Sequence, residues 1–246
     1  MSDSDRGVGV GEDSLDRVRR ALVVIAHPDD LEAHCGGTVL LLVSRGARVS
    51  LVACTSGDKG TSDRSLAPNQ LGRLREAEQT AAARLLGIAE THFLRWPDGE
   101  VENGRSLRGQ LVRLVRATRP DVVITHDPDH AWPPYTAHRD HRAVGRATLD
   151  ALYPDARDHL FFPEQITEES LETHRTPEAW LIMSQQPDWI VDITAVFARK
   201  VAARLEHASQ LRDPATLERA YRERAAEIGA PAGIALAEAL KVVRFG

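Results

Sequence analysis

Short apolar runs alternate along the chain with segments in which apolar residues recur at helical spacing. The run ALVVIA (21–26) is continuous, as in a strand that is buried on both faces, and RVSLVACT (48–55) is predicted to be the second strand. Residues 71–86 carry an apolar stripe at helical spacing, and Gly87 follows as a common helix terminator. The same pattern predicts further strands over 91–96, 121–126, 179–184 and 189–194, and further helices over 38–45, 106–118, 139–152, 195–211 and 214–229.

This alternation of strands and helices predicts an α/β fold, a Rossmann-like three-layer sandwich with a mostly parallel sheet. Sheets of this kind bind ligands beyond the carboxyl ends of their strands. Residues 1–18 are polar and glycine-containing, and we expect them to form a flexible leader. Residues 19–246 are expected to form a single domain, because no repeat, low-complexity tract or convincing linker interrupts them.

Polar and ionisable residues follow two of the predicted strands. HPDD (27–30) follows the first strand, and the fourth strand leads into THDPDHAWPPYTAHRDH (125–141). Adjacent carboxylates at a partly buried site repel each other unless a positive charge is present, and a divalent cation would supply it. His138 and His141 are spaced i, i+3, so both project from one face if a helix begins there. Two histidines and one aspartate with an open position for water are a usual catalytic metal set.

Composition and charge argue against nucleic acids and membranes as binding partners. The formal net charge is −5, and a mildly acidic chain is a poor candidate for non-specific nucleic-acid binding. No apolar stretch approaches the ~20 residues needed to cross a membrane, and the N-terminal segment is polar. We therefore expect a cytoplasmic protein with neither a nucleic-acid nor a membrane partner. Cys35 and Cys54 belong to no CxxC motif and are expected to be small packing residues.

The motifs, in their order along the chain, resemble those of the PIG-L/LmbE superfamily, whose members remove N-acetyl groups from N-acetylglucosamine-type substrates with zinc. The resemblance extends from about residue 21 to the last strands. It is carried by AHPDDLEAHCGG (26–37), TSGDKG (55–60), REAEQTAAARLLG (75–87), PDG (97–99) and HRDH (138–141). Many members have Glu directly after the two aspartates, whereas Leu31 precedes Glu32 here.

The resemblance implies a metal centre and its catalytic groups. The metal ligands would be His27, Asp30 and His141, and the ion would be Zn²⁺, although such a ligand set also accepts Fe²⁺, Co²⁺ or Mn²⁺. The implied catalytic residues are Asp29 as the general base, His138 as oxyanion stabiliser or acid, and Asp140 as the group that orients a histidine. Acetate and a free amine would be the products.

The resemblance also implies a substrate, an N-acetylated sugar or glycoconjugate. Arg75 and Asp98 fall where relatives contact the sugar, although Arg75 with Glu78 could form a surface ion pair and Asp98 with Gly99 a simple turn. The aromatic, proline-rich loop 132–135 is expected to be a lid or sugar platform. Hydrolysis of a different amide or acyl group is the alternative reaction. Homo-oligomers are frequent among such enzymes, but no interface can be identified from the sequence.

Two other classes of protein are weighed against this hypothesis. A dinucleotide-dependent oxidoreductase would carry GxGxxG after the first strand, where this chain has HPDD. A metal-binding protein without catalysis would lack part of the site, yet every expected ligand and the base are present. Metal content measured together with acetate release separates such a non-catalytic metal-binding protein from a deacetylase.

Overall fold

The computed structural model describes residues 9–10, 13–133, 137–211 and 213–245. The strands in this part of the chain are β1 Gly9–Val10, β2 Arg20–Ile25, β3 Arg48–Thr55, β4 Glu90–Trp96, β5 Val122–His126, β6 Glu178–Ile182, β7 Trp189–Asp192 and β8 Ala237–Arg244. They form one sheet in the order β1-β7-β8-β6-β5-β2-β3-β4. Strand β8 runs antiparallel to β6 and β7, and the other pairs are parallel. The mostly parallel α/β sheet predicted from the sequence is confirmed.

Helices cover both faces of this sheet. They are α1 Asp13–Asp16, α2 Asp30–His34, α3 Gly36–Ser44, α4 Pro68–Leu86, α5 Arg105–Thr118, α6 Arg139–Leu152, α7 Pro163–Thr167, α8 Phe197–Leu205 and α9 Pro214–Gly229. Apolar residues of α3, α4 and α8 belong to the core on one face, and those of α5 and α6 to the core on the other. Among the described helices, none combines the length and apolar composition needed to cross a bilayer.

The central strand β2 shows why the sequence folds in this way. Ala21, Val23 and Ile25 join one core, and Leu22 and Val24 join the other, because successive side chains of a strand point to opposite faces. All five residues are buried, so the run is apolar throughout rather than alternating. The continuous apolar pattern of residues 21–26 is therefore the signature of a strand that lies between two helical layers.

Three features of the structure bear on the sequence-based expectations. Leu15 and Val18, which fall within the leader predicted for residues 1–18, are only 1% and 5% exposed and belong to a core cluster. The flexibility of that leader stays a prediction. The helix predicted over 195–211 ends at Leu205, and a short 3-10 turn follows. Strand β8 was not predicted, because charged residues interrupt its apolar pattern. That residues 19–246 form one domain stays a prediction.

The order of the strands creates a crevice at one edge of the sheet. Strand β2 pairs with β3 on one side and with β5 on the other, so the chain reverses direction across the sheet between β4 and β5. In open α/β sheets, ligands bind at such a reversal, beyond the carboxyl ends of the strands. HPDD follows β2, and the histidine-rich segment begins at the end of β5.

Candidate metal and catalytic site

A tight turn after β2 separates the two adjacent aspartates. Asp29 has a φ of 101°, in the left-handed region, and helix α2 begins at Asp30. The backbone N–H of His27 donates to Asp30 Oδ2 at 2.8 Å, which closes the turn. The backbone N–H of Asp29 donates to Gln79 Oε1 at 3.0 Å. A non-glycine residue in this conformation is strained, and such strain is concentrated at functional sites.

The beginning of α6 brings the second motif to the same place. His138 is the N-cap of this helix, and its Nδ1 accepts the backbone N–H of Asp140 at 3.3 Å. His141 lies in the first turn. Gly145 allows the helix to approach the end of β5, because a Cβ at this position would clash with the carbonyl of His126. The turn after β2 and the first turn of α6 therefore meet although they are more than 100 residues apart in sequence.

His27, Asp30 and His141 converge in the geometry of a metal site. His27 Nδ1 lies 3.2 Å from His141 Nε2 and 3.5 Å from Asp30 Oδ2. His141 Nε2 lies 3.3 Å from Asp30 Oδ1. One ligand atom from each residue falls within 4.8 Å of the others, and all three residues are buried. Two imidazole nitrogens and a carboxylate oxygen are donors that suit Zn²⁺ and also Fe²⁺, Co²⁺ or Mn²⁺.

Within the described residues, His27, Asp98 and His138 form a second set that could hold a metal. The surroundings of the two ring nitrogens of His27 distinguish the two candidate sets. Nε2 lies 3.1 Å from Asp98 Oδ1 and 3.2 Å from Asp140 Oδ2. Asp140 also accepts the backbone N–H groups of Gly99 at 2.7 Å and Val101 at 3.1 Å. Carboxylates on the outer nitrogen are the usual support of a metal-binding histidine, and they leave Nδ1 for the ion. The arrangement favours the set with Asp30 and His141.

The electrostatics of this cluster favour a bound cation. Burial alone would raise the pKa of Asp30, but attraction to His141, the largest opposing influence, holds that pKa well below its usual value. Burial also opposes ionisation of Asp98, yet its hydrogen bond and attraction to His27 lower the pKa of Asp98 to about 2. Three ionised carboxylates, of Asp30, Asp98 and Asp140, therefore surround one imidazole ring. A divalent ion would neutralise this excess of negative charge.

The carboxylate of Asp29 lies against two arginines. Its Oδ1 lies 3.5 Å from Arg75 and its Oδ2 lies 3.2 Å from Arg204, while 20% of its side chain is exposed. Burial is the main influence on this carboxyl and raises its pKa, although attraction to Arg204 and Arg75 opposes the rise. A carboxylate with a raised pKa beside a metal site suits a general base.

His126 is a buried member of the site that the sequence analysis missed. It is 1% exposed, its ring stacks on that of His141 with centroids 4.2 Å apart, and its Nε2 lies 3.3 Å from Asp30. Burial lowers the pKa of His126 to about 4, so the ring is neutral, and Nε2 accepts the backbone N–H of Ala26 at 3.1 Å. Because that nitrogen is an acceptor, its contact with Asp30 is packing rather than an ion pair. The available signal was its position as the last residue of a buried strand.

The two predicted sugar contacts lie in the wall of the site. Arg75 is buried and donates to the carbonyls of Gly57 at 2.9 Å and Pro28 at 2.6 Å. A side chain on Gly57 would occupy the position of this guanidinium, which explains the glycine in the TSGDKG loop. Asp98 is buried against His27 and accepts the backbone N–H of Lys59 at 3.2 Å. Contact of either residue with a substrate stays a prediction.

Two alternatives for these residues can be compared with the structure. Glu78, the suggested ion-pair partner of Arg75, instead accepts the backbone N–H and the hydroxyl of Ser209, each at 2.7 Å. Gly99 has a φ of 77°, so the Asp98–Gly99 turn is present and also places Asp98 beside His27.

The loop 132–135 is described only in part. Trp132 is 67% exposed, and Pro134 and Tyr135 lie outside the described residues, so its role as a lid or sugar platform stays a prediction.

Together, the doubly covered parallel sheet and the His–Asp cluster at its carboxyl edge define a candidate metal-dependent enzyme. Residues 22–152 match the family model for GlcNAc-PI de-N-acetylase, PIG-L. The chain is also 30% identical over 193 residues to a diacetylchitobiose deacetylase of Thermococcus kodakarensis, a match that covers 78% of this chain and 70% of that protein. The chain therefore belongs to the PIG-L family.

Two further comparisons cover most of the chain. A 1D-myo-inositol 2-acetamido-2-deoxy-alpha-D-glucopyranoside deacetylase of Mycobacterium sp. (strain KMS) is 30% identical, and the match covers 84% of this chain and 79% of that protein. The solved structure of N,N'-diacetylchitobiose deacetylase from Pyrococcus horikoshii, in complex with an inhibitor, is 29% identical with a TM-score of 0.87. That match covers 95% of this chain and 86% of the solved chain. The similarity therefore extends well beyond the segment that matches the family model.

Proposed function

We propose that this protein is a zinc-dependent N-deacetylase that hydrolyses the acetamide of an N-acetylglucosamine-type sugar or glycoconjugate to acetate and a free amine. The observation that carries the proposal is the convergence of His27, Asp30 and His141 beside the separate carboxylate of Asp29. Family membership and the deacetylase relatives support the reaction class.

The ligands of the ion would be His27 through Nδ1, Asp30 and His141. A divalent ion held there would act as a Lewis acid toward the amide carbonyl and the attacking water. Zinc is our choice among the metals that this ligand set accepts. The pair of carboxylates on His27 Nε2, from Asp98 and Asp140, would fix the orientation of the ring and increase its basicity as a ligand.

Proton transfer would fall to Asp29. Its carboxylate would accept a proton from the attacking water and later pass a proton to the departing amine, as general acid–base catalysis requires. The neighbouring arginines would hold this carboxylate in place during both steps. A merely metal-binding protein would not need such an arrangement.

His138 would stabilise the oxyanion of the tetrahedral intermediate. Its Nδ1 accepts the backbone N–H of Asp140, so in the neutral ring the proton resides on Nε2. Burial, the largest influence, and nearby His27 lower the pKa of His138, which favours the neutral form. A neutral imidazole with Nε2–H directed into the crevice is a donor for developing negative charge.

Acetate release is the direct test of this function. Zinc-loaded protein would be incubated with N-acetylglucosamine, diacetylchitobiose and an N-acetylglucosaminyl-inositol, and in parallel with N-acetylated amino acids and peptides. We expect acetate and free amine from at least one sugar, and bound zinc at one ion per chain by elemental analysis. Much faster cleavage of the peptides would favour the alternative, an amidase for a different amide or acyl group. Bound metal without acetate from any substrate would favour a non-catalytic role.

Other properties stay predictions from the sequence. These are a cytoplasmic location and a small-molecule substrate with neither nucleic acid nor membrane as partner; for the oligomeric state, the sequence analysis gives only the frequency of homo-oligomers among such enzymes. Replacement of zinc by Fe²⁺, Co²⁺ or Mn²⁺ in the metal-depleted protein, followed by the acetate assay, would identify the metals that support activity.

A further inference from the structure

We infer that Arg204, on helix α8, is a positioning residue that holds the carboxylate of Asp29 in its working orientation. The inference rests on the proposed function, in which Asp29 is the general base. Arg204 lies outside residues 22–152, the segment that matches the family model. If it acts in this way, a helix beyond that segment contributes to catalysis.

The first observation is the arrangement of charges around Asp29. Arg204 approaches Oδ2 at 3.2 Å from α8, and Arg75 approaches Oδ1 at 3.5 Å from α4. Each oxygen thus has its own guanidinium partner, and the two partners come from different helices. Asp29 lies in a turn with a left-handed φ, directly before α2. Its contacts with the two arginines oppose rotation of the carboxylate about the side-chain bonds.

The second observation is that Arg204 is itself fixed. Its Nε donates to the hydroxyl of Tyr221, on α9, at 3.0 Å, and the residue is 8% exposed. Helix α8 packs against α4, the helix that carries Arg75. The two guanidinium groups are therefore carried by elements that contact each other, so their separation is set by the core.

A comparison with another buried arginine separates positioning from simple structural support. Arg116 donates to four backbone carbonyls, those of Asp155, Asp158, Phe161 and Phe162, at 2.8–3.2 Å. Arg204 donates to none of the backbone carbonyls in the part of the chain that the structure describes, and its Nη1 is buried there without a hydrogen-bond partner. Its charge is directed to Asp29 rather than to the termini of secondary structure.

The consequence for the reaction is geometric. A general base must lie within about 3 Å of the proton that it accepts, and a displacement of about 1 Å from a distant change can cost about 100-fold in rate. Loss of Arg204 would release one of the two oxygens of Asp29 and leave the metal ligands in place. The expected effect is therefore on kcat, with little change in KM or in metal content.

The test compares Arg204→Gln, Arg204→Lys and wild-type protein in the acetate-release assay. We expect kcat to fall about 10- to 100-fold in Arg204→Gln, with bound zinc and KM close to wild type, and to recover partly in Arg204→Lys because the charge is restored. Arg199→Gln is the matched control, since Arg199 is an exposed arginine on the same helix, and it should behave as wild type. A rise in KM at unchanged kcat would overturn the inference, because it would make Arg204 a substrate contact.

A double-variant cycle with Asp29→Asn distinguishes action through Asp29 from a general structural effect. If Arg204 acts through Asp29, Arg204→Gln should cost almost nothing further once Asp29 is Asn. Additive losses would overturn the inference. A slow Asp29→Asn beside a fully active Arg204→Gln would overturn it and leave the proposed function intact, whereas a fully active Asp29→Asn would remove the proposed base and this inference together.

A milder variant covers the case in which Arg204→Gln folds poorly. Tyr221→Phe removes the hydroxyl that accepts the Arg204 Nε–H and keeps the arginine. We expect a smaller fall in kcat, of about 2- to 10-fold, again without loss of zinc and again absent in the Asp29→Asn background. A normal kcat in Tyr221→Phe together with loss of zinc from Arg204→Gln would show a structural role and overturn the inference.

Discussion

Two buried carboxylates in this chain, those of Glu238 and Asp30, have opposite relations to their surroundings. Glu238 lies on β8 and accepts four hydrogen bonds, three from the beginning of α3 and one from Lys200 on α8. Oε1 accepts the Gly37 N–H at 2.9 Å and Lys200 Nζ at 2.7 Å. Oε2 accepts the backbone N–H and the hydroxyl of Thr38 at 2.8 and 2.6 Å. The chain itself thus provides one opposite charge and a full set of donors.

Asp30 is also buried but has a different set of neighbours. It accepts one backbone N–H, from His27 at 2.8 Å, and its other polar neighbours are ring nitrogens of three histidines at 3.3–3.5 Å. Two further carboxylates, of Asp98 and Asp140, lie on the far side of His27. Buried charges are expensive unless they are paired and hydrogen-bonded. The comparison teaches that a buried carboxylate whose donors are complete is structural, whereas one surrounded by metal-type ligands marks a site.

The largest expected loss of activity follows from replacing the proposed general base, Asp29, which precedes Asp30 in the sequence. Asp29→Asn keeps the shape of the side chain and removes its ability to accept a proton. We expect kcat for acetate release to fall by about 10² to 10⁴ while bound zinc is retained. Added zinc should not restore the rate. Asp16→Asn, at an exposed aspartate that pairs with Arg45, is the control and should keep full activity. Loss of zinc from Asp29→Asn would make Asp29 a ligand instead.

Asp30→Asn tests the comparison itself, because it replaces the anionic ligand by a neutral amide. We expect zinc affinity to fall by more than about 100-fold, beyond the loss caused by removing a group outside the ligand set. The rate should be low at limiting zinc and recover partly in excess zinc. Isothermal titration with zinc and the acetate assay measure the two quantities. Unchanged zinc affinity would show that Asp30 resembles Glu238 and is structural.

Asp140→Asn probes the support of His27. The amide retains one acceptor oxygen, but its NH₂ group cannot accept the proton of His27 Nε2, so the ring loses part of its orientation. We expect a fall of about 10- to 100-fold in zinc affinity or in activity. Wild-type values for both would indicate that Asp98 alone orients His27.

Glu238→Gln should leave the chemistry unchanged and weaken the fold. It leaves Lys200 buried without its opposite charge, and the loss of one partner of a buried pair costs about 3–5 kcal/mol in the free energy of unfolding. Chemical denaturation measures the loss, and activity per folded molecule should match wild type. Glu90→Gln, at an exposed pair with Arg48, should cost no more than about 1 kcal/mol. A specific loss of zinc in Glu238→Gln would erase the distinction between the two carboxylates.

Local sequence patterns predicted much of the fold. Strand β3 and helices α6 and α9 have the predicted bounds, because their periodicity and terminating residues are strong local signals. The pattern of residues 237–244 did not predict β8. Glu238 and Lys241 interrupt its apolar run. The position of Glu238 is explained by α3, about 200 residues earlier in the chain, because the carboxylate accepts backbone N–H groups of that helix.

Local sequence patterns likewise predicted some residues of the candidate site and not others. His27, Asp29, Asp30, His138, Asp140 and His141 lie in two short motifs at predicted strand ends, and the structure brings these motifs together. Their roles stay predictions. Arg204 lies in no such motif, since an arginine in an amphipathic helix is ordinary in sequence. His126 lies at the start of the histidine-rich segment 125–141 but was given no role there. Their significance depends on what lies opposite them.

The sequence alone determined the alternating strands and helices, the carboxyl edge at which polar residues collect, and the presence there of side chains of the types that bind metals. These properties follow from periodicity and from residue chemistry over a few positions. Only the tertiary structure decided which nitrogen of His27 faces Asp30, which carboxylates support the other nitrogen, and which arginine reaches Asp29. Contacts between residues 27 and 141, or 29 and 204, depend on how helices pack on the sheet, and no local pattern encodes that distance or direction.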